Sequence, residues 1–174
     1  MHPPPLDRTL AALDYAFPWD GLLQRFKFQQ AIELRGVLAA RLRPLIDEDL
    51  PDLLLPVPIT AQRLRERGYN QSHLLARYLA RDLARPWRLP CPDNLLLKVR
   101  DGEHQARLPL AERADNVRGV FAVEPRRLTE LKGRHVAIVD DVMTSGTTLY
   151  EIARVLRAAG ATRVQAWVIA RTPE

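Results

Sequence analysis

Residues 136–148 read V-A-I-V-D-D-V-M-T-S-G-T-T, and this stretch decides the fold. An apolar run leads directly into two adjacent carboxylates, Asp140 and Asp141. A short loop of hydroxyl side chains around one glycine follows, and a helical pattern begins at Leu149. An uninterrupted apolar strand is typical of a parallel sheet that helices cover on both faces. The order of strand, acids, loop and helix therefore predicts an α/β fold.

The loop after the acids predicts an anion site. Its members are Thr144, Ser145, Gly146, Thr147 and Thr148. In open α/β sheets ligands bind beyond the carboxyl ends of the strands, and a loop that opens a helix points backbone N–H groups at a phosphate. Carboxylates accept hydrogen bonds from hydroxyl groups. We therefore expect a sugar phosphate, with its hydroxyls on the acids and its phosphate on the loop.

Apolar patterns on either side of this stretch predict the remaining elements. A helical pattern covers residues 21–43, and Asn70 is the expected N-cap of a helix over residues 71–84. Strands are predicted at 53–57, 95–99, 120–123, 136–140 and 164–170, with a further helix at 148–159 that ends before Gly160. Residues 1–20 are predicted to form a partly disordered extension before a single domain over residues 21–174.

Composition narrows the class of protein. The chain has 174 residues, of which 47% are hydrophobic, enough for one domain with a proper core. Cys91 is the sole cysteine, so neither a disulfide framework nor a cysteine-based zinc site is expected. No apolar run reaches membrane length, and a cytoplasmic location is expected. The net charge of +5 favours an anionic partner, either a polyphosphate sugar or nucleic acid.

Two further blocks accompany the central stretch. Residues 53–71 read L-L-L-P-V-P-I-T-A-Q-R-L-R-E-R-G-Y-N-Q, and residues 105–121 read Q-A-R-L-P-L-A-E-R-A-D-N-V-R-G-V-F. With residues 136–148, these blocks resemble the ComF family, a branch of the type I phosphoribosyltransferases that bind 5-phosphoribosyl-1-pyrophosphate (PRPP). The resemblance spans roughly residues 53–170 and implies a central, mostly parallel sheet with helices on both faces.

The resemblance also implies roles for individual residues. Asp140 and Asp141 would be the catalytic acids, holding the ribose 2′- and 3′-hydroxyls directly or through a hydrated Mg²⁺, and residues 144–148 would wrap the 5′-phosphate. Residues 58–60 would face the pyrophosphate, and a loop over residues 100–118 would close over PRPP. The candidates on the pyrophosphate side are Pro58, Ile59, Thr60 and Arg63, and those on the closing loop are Lys98, Arg100 and Gln105. The alternate spacing of Arg63, Arg65 and Arg67 also fits a solvent-facing position for these arginines.

Several readings of the function stay open. The leading one is transfer of phosphoribosyl from PRPP to an unidentified acceptor with release of pyrophosphate. The others are an accessory protein of DNA uptake that binds single-stranded DNA or a protein of the competence machinery, and a PRPP sensor without catalysis. Aromatic residues make up 6% of the chain, and the three tryptophans do not form a base-stacking row. The family's zinc ribbon, with its two C-x-x-C pairs, has no counterpart in this sequence, and a homo-oligomer is left open.

Overall fold

The structure, a computed structural model, describes residues 5–47, 49–83, 89–100 and 119–173. Four strands form its main sheet: β1 Arg8–Asp14, β2 Leu53–Pro56, β5 His135–Met143 and β6 Arg163–Arg171. They lie in the order β1–β6–β5–β2, and every neighbouring pair is parallel. Two short strands, β3 Leu96–Lys98 and β4 Phe121–Val123, form a separate antiparallel ribbon.

Helices make up the rest of the described framework. They are α1 Trp19–Phe28, α2 Leu34–Leu42, α3 Ala61–Arg67, α4 Gln71–Leu83 and α5 Thr147–Ala158, with short 3₁₀ turns at Arg43–Leu45 and Pro125–Glu130. None of the helices in the described ranges combines the length and apolarity that crossing a bilayer requires.

The strand β5 divides the core in two. Val136 and Ile138 pack on one face of the sheet, in a cluster with residues of α5 and of the β3–β4 ribbon. Ala137 and Val139 pack on the other face, in a cluster with α1, α2 and α4. Successive residues of a strand point to opposite faces, so a strand that is buried on both sides needs a continuous apolar run. The predicted parallel sheet with helices on both faces is confirmed.

The N-terminal strand differs from the predicted extension over residues 1–20. Residues 8–14 form β1, which pairs with β6 from Arg8↔Gln165 to Asp14↔Arg171, and Leu10 is buried in the core. The domain therefore begins before residue 21. This strand is held by hydrogen bonds to a segment that is more than 150 residues away in sequence, and its own residues lack the alternation that marks a strand locally.

The predicted helix over residues 21–43 is two helices. α1 ends at Phe28 and α2 begins at Leu34, and between them Gln30 has a positive φ of 54°. An ordinary side chain in that left-handed region interrupts a helix. The break lets α1 end close to the carboxyl end of β5.

The carboxyl ends of β2 and β5 meet at one edge of the sheet. Beyond Pro56, the backbone N–H of Val57 still donates to the carbonyl of Val139 at 3.0 Å, so the chain after β2 runs beside β5. Asn70 fastens the next turn to it, because its side-chain N–H₂ donates to the carbonyl of Val57 at 3.0 Å. The Asn70 oxygen accepts from the backbone N–H of Ser72 at 3.0 Å and of His73 at 3.4 Å, which confirms its predicted place before α4.

Replacement of Asn70 tests this fastening. Asn70→Ala removes the cap and leaves the Val57 carbonyl without its donor, so we expect a loss of about 2 kcal/mol of unfolding free energy. For a domain of this size that lowers the melting temperature by roughly 4–8 °C, measurable by circular dichroism. Asn70→Ser, which keeps a capping oxygen and loses the donor to Val57, should fall in between. The exposed control Gln62→Ala should change little, and an unaltered melting temperature for Asn70→Ala would contradict the assignment.

Candidate functional site

A cleft of about 560 Å³ opens at the carboxyl ends of β2 and β5. Its walls come from α1, from the turn after β2, from the helices α3 and α4, from the β3–β4 ribbon and from the segment that joins β5 to α5. The polar side chains that line it are Tyr15, Gln24, Lys27, Arg63, Arg67, Gln71, Lys98, Asp140, Asp141, Thr144, Ser145, Thr147 and Thr148. The cleft therefore joins the predicted acids, the predicted loop and several cations.

Two neighbouring carboxylates form the floor of the cleft. Asp140 accepts hydrogen bonds from the hydroxyl of Ser72 at 2.7 Å and from the backbone N–H of Asp141 at 2.9 Å. Asp141 is 1% exposed, and its Oδ1 accepts from the backbone N–H of Val142 at 3.0 Å. The ammonium of Lys27 lies 3.1 Å from Asp141 Oδ2 and 3.4 Å from Oδ1. One buried carboxylate thus has a lysine as its counter-ion, and the other has a hydroxyl.

The negative charges of Asp140 and Asp141 are only partly compensated by neighbouring groups. Burial raises the pKa of Asp140, and the charge of Asp141 raises it further; Lys27 and Ser72 oppose these effects without cancelling them. Two adjacent carboxylates that share one ammonium favour a further cation or a set of hydroxyl donors. Carboxylate oxygens are the ligands that Mg²⁺ prefers, and it takes one or two of them together with waters and substrate oxygens. The donor set therefore fits Mg²⁺.

The loop of residues 144–148 turns the chain from β5 into α5. Gly146 has φ 77°, a conformation that side chains rarely adopt, and it precedes the first residue of α5. A Cβ at this position would lie 2.5 Å from the terminal methyl of Met143 and 2.9 Å from the Tyr150 ring, so a larger residue would have to displace these side chains in addition to adopting the positive φ that favours glycine. All five loop residues line the cleft. The first N–H groups of a helix have no partner within it, and the residues at the start of α5 line the cleft.

The turn after β2 supplies the opposite wall. Pro58 and Ile59 line the cleft as the sequence implied. Thr60 does not: its hydroxyl accepts from the backbone N–H of Arg63 at 3.4 Å and caps α3. A threonine before a helix satisfies an otherwise unpaired N–H of the first turn, so its position relative to the helix assigns it a structural role.

The arginines after this turn lie on the helix α3, and the helical period determines which of them face the cleft. Arg63 and Arg67 are four residues apart, share one face of α3 and line the cleft, whereas Arg65 is absent from its lining. Arg67 donates to the side-chain oxygen of Gln71 at 3.1 Å. Burial lowers the pKa of the Arg67 guanidinium, and the neighbouring charge of Arg63 lowers it further. This face therefore presents two cations that an anionic ligand would stabilise.

The three residues assigned to the closing loop differ in their position relative to the cleft. Lys98 lines the cleft, and its ammonium lies 6.0 Å from the centre of the Phe121 ring. Arg100 donates to the carbonyl of Gly119 at 3.2 Å and is not part of the lining. Gln105 lies outside the described residues.

Six polar lining or supporting residues were not among the predicted site residues: Tyr15, Gln24, Lys27, Arg67, Gln71 and Ser72. Lys27 reaches Asp141 from a helix that is over a hundred residues away in the chain. Its signal was the F-K-F stretch at residues 26–28, which stands near a Lys-Phe pair typical of the ComF family. Gln71 had a signal as the last residue of the block at residues 53–71, which fits either a turn near the cleft or a purely structural role. Ser72 had no signal beyond its position at the start of a helix, because nothing local shows which side chains a helix start points into a cleft.

Known proteins share this architecture. Residues 75–174 match the phosphoribosyl transferase domain. The fold is similar to that of the glutamine PRPP amidotransferase from B. subtilis, with a TM-score of 0.55 and 21% identity over 84% of this chain and 30% of that chain. An allosteric regulatory enzyme of purine biosynthesis is similar to the same extent, with a TM-score of 0.52 and 21% identity. These structures confirm the predicted fold class, a type I phosphoribosyltransferase-like α/β fold.

Relatives in sequence extend over nearly the whole chain. The DNA utilization protein YhgH of Escherichia coli (strain K12) is 34% identical over 177 residues, which cover 98% of this chain and 74% of the relative. Competence protein F of Haemophilus influenzae is 35% identical over 176 residues, covering 97% and 74%. Competence protein ComFC of Bacillus subtilis is 28% identical over 141 residues, covering 79% and 53%. Both the identity and the coverage confirm the resemblance seen in the three sequence blocks: this chain belongs to the ComF family of proteins with a phosphoribosyltransferase-like domain.

Proposed function

We propose that this protein binds PRPP in the cleft and transfers its phosphoribosyl group to an acceptor with release of pyrophosphate. The observation that carries the proposal is the placement of two adjacent acids, Asp140 half-buried and Asp141 buried, and a glycine-centred loop on one continuous segment, β5 to α5, opposite the cations of α3. That arrangement matches a ligand with hydroxyls in the middle and phosphates at both ends.

Each part of PRPP has a counterpart in the cleft. Residues 144–148 would receive the 5′-phosphate on backbone N–H groups and hydroxyls, and Asp140 and Asp141 would accept from the ribose hydroxyls. The pyrophosphate would extend towards Pro58, Ile59 and Arg63, with Lys98 on the ribbon. Guanidinium groups match phosphate oxygens in pairs of hydrogen bonds. Several such contacts are needed, since one helix N-terminus contributes only about 0.3–1 kcal/mol.

The transfer requires positioning more than proton abstraction. The acceptor forms a bond to C1 of the ribose, the bond from C1 to the pyrophosphate oxygen breaks, and pyrophosphate leaves with the electron pair; a proton on the acceptor passes to solvent. Mg²⁺, when bound at the acids, supplies positive charge that stabilises the leaving group. Arg63 and Lys98 would stabilise the same negative charge, and the acids would hold the ribose in place for attack.

A titration with PRPP and Mg²⁺ tests the binding site. Each ligand that binds the native state raises the melting temperature by mass action. We expect PRPP with Mg²⁺ to stabilise the wild type by about 2.7 kcal/mol at a hundred times its dissociation constant, and to leave the Asp140→Asn/Asp141→Asn variant unchanged. Equal stabilisation of both would refute the role of the acids. Release of pyrophosphate with an acceptor would separate an enzyme from a sensor, which binds PRPP without turnover.

The pKa of Asp140 predicts a specific dependence of stability on pH. A raised pKa in the folded state means that the native protein holds a proton which the unfolded chain has released, so the free energy of unfolding falls as pH rises through the folded pKa. Asp140→Asn removes this dependence. The ligand-free variant should therefore be more stable than the wild type near pH 8, by at least about 1 kcal/mol, and gain nothing near pH 4.

The measurement is the melting temperature at both pH values. Asparagine at position 140 still has an oxygen to accept from Ser72, so the fold is kept. The exposed Asp14, at the end of β1, provides a matched control: Asp14→Asn should show no such gain at high pH. A variant Asp140→Asn that is equally or less stable than the wild type at pH 8 would contradict a raised pKa.

A role in handling DNA is a second proposal. It is supported by the names of the relatives, a DNA utilization protein and a competence protein, and by the net charge of +5. Binding of a single strand through arginines releases counter-ions, so the logarithm of the affinity for an oligonucleotide should fall linearly with the logarithm of the salt concentration. Fluorescence anisotropy at several salt concentrations measures this slope. Affinity that does not respond to salt, or no binding at low salt, would exclude this role.

A further inference from the structure

A second pocket of about 580 Å³ adjoins the cleft on the side of α1 and α3. Its lining residues are Lys27, Phe28, Gln30, Arg63, Glu66, Arg67 and Tyr69. Lys27, Arg63 and Arg67 belong to both spaces. A ligand in this pocket would therefore contact the cleft, although the pocket contains none of the acids and none of the loop residues that the PRPP proposal uses.

An aromatic ring lies open in this pocket. Phe28, the last residue of α1, is 63% exposed, whereas Phe26 in the same helix is completely buried. The Arg67 guanidinium lies over the Phe28 ring, 4.9 Å from its centre. A single exposed aromatic residue is ordinary on a protein surface. This one differs because it stands beside the cleft and the Arg67 guanidinium lies over one face of its ring, so an aromatic edge and a positive charge lie next to each other.

The charges of the pocket favour an anion. Three cations line it, of which Lys27 is already paired with Asp141, against one carboxylate, Glu66, which accepts a hydrogen bond from Gln62 at 2.9 Å. Within the described part of the chain, neither Arg63 nor Arg67 has a carboxylate within ion-pair distance. Guanidinium groups that are partly removed from water gain most from an anionic partner.

Hydrogen bonds hold the walls in place before any ligand arrives. The hydroxyl of Tyr69 donates to the carbonyl of Phe26, which ties the end of α1 to the turn between α3 and α4. Arg67 is oriented by its hydrogen bond to Gln71 at 3.1 Å. A pocket that is already formed loses less conformational entropy on binding.

We propose that this pocket is the acceptor subsite, and that it takes a planar aromatic ring which carries an acidic group. The ring would pack against the edge of Phe28, since Arg67 covers one face of that ring, the acidic group would pair with Arg67, and the opposite edge of the ligand ring would point to the cleft, where the ribose would lie. The inference rests on the proposed function for the direction of transfer. The binding of the ring itself depends on Phe28 and Arg67, not on the acids Asp140 and Asp141.

Three small probes separate the features of this ligand class: benzoate is planar and anionic, cyclohexanecarboxylate is anionic without a flat ring, and benzamide is flat without the charge. Binding to the full chain with PRPP and Mg²⁺ present is measured by ligand-observed NMR. We expect benzoate to bind most tightly, and Phe28→Leu to weaken it by about fivefold. Arg67→Gln should remove the preference for benzoate over benzamide. The control Phe17→Leu changes a phenylalanine that is 91% exposed and lines neither space.

The outcomes are distinguishable from a failure of the PRPP site, because PRPP binding is titrated separately in each variant. Phe28→Leu should leave PRPP affinity within about twofold of wild type, as the ring lies outside the cleft lining. If benzoate binds no better than the other two probes, does not bind at all, or is unaffected by Phe28→Leu, the subsite is refuted. If Phe28→Leu weakens PRPP as much as benzoate, the pocket belongs to the pyrophosphate and the inference also falls.

Discussion

The placement of two adjacent carboxylates, one half-buried and one buried, near the carboxyl end of β5 is the constraint on which the rest of the site depends. A buried charge is unfavourable unless other groups replace its lost hydration. In this protein the groups that do so come from different helices, Lys27 from α1 and Ser72 from α4. The site therefore requires that both helices pack on the same face of the sheet, which the shared core cluster shows.

These interactions leave charges in the ligand-free cleft that a bound ligand would compensate. Burial keeps the pKa of Asp140 raised even with Ser72 and Lys27 in place, and burial together with the charge of Arg63 lowers the pKa of Arg67 on the same face of α3. The acids, with Lys27 beside Asp141, thus lie on the floor of the cleft, and the two arginines lie on the wall that α3 forms. A ligand with hydroxyls for the acids and phosphates for the arginines would compensate both groups, and residues that favour such binding often lower the stability of the empty protein.

Much of the framework could be predicted from the sequence because its signals are local. A buried strand shows as an apolar run, the start of α4 shows in Asn70, and the turn into α5 shows in Gly146. The strand β1 and the break between α1 and α2 escaped prediction. The first depends on pairing with the far end of the chain, and the second on a residue with positive φ that no glycine marks.

The sequence by itself determined the order of strand, acids, loop and helix, because backbone conformation and hydrophobic period are written in neighbouring residues. Three separate blocks of the sequence also indicated the family. Tertiary structure alone decided that Lys27 is the partner of Asp141, that the face of α3 with Arg63 and Arg67 lines the cleft, and that Phe28 is exposed beside them. Those outcomes depend on the relative placement of distant helices on the sheet, and no local pattern of residues specifies such distances.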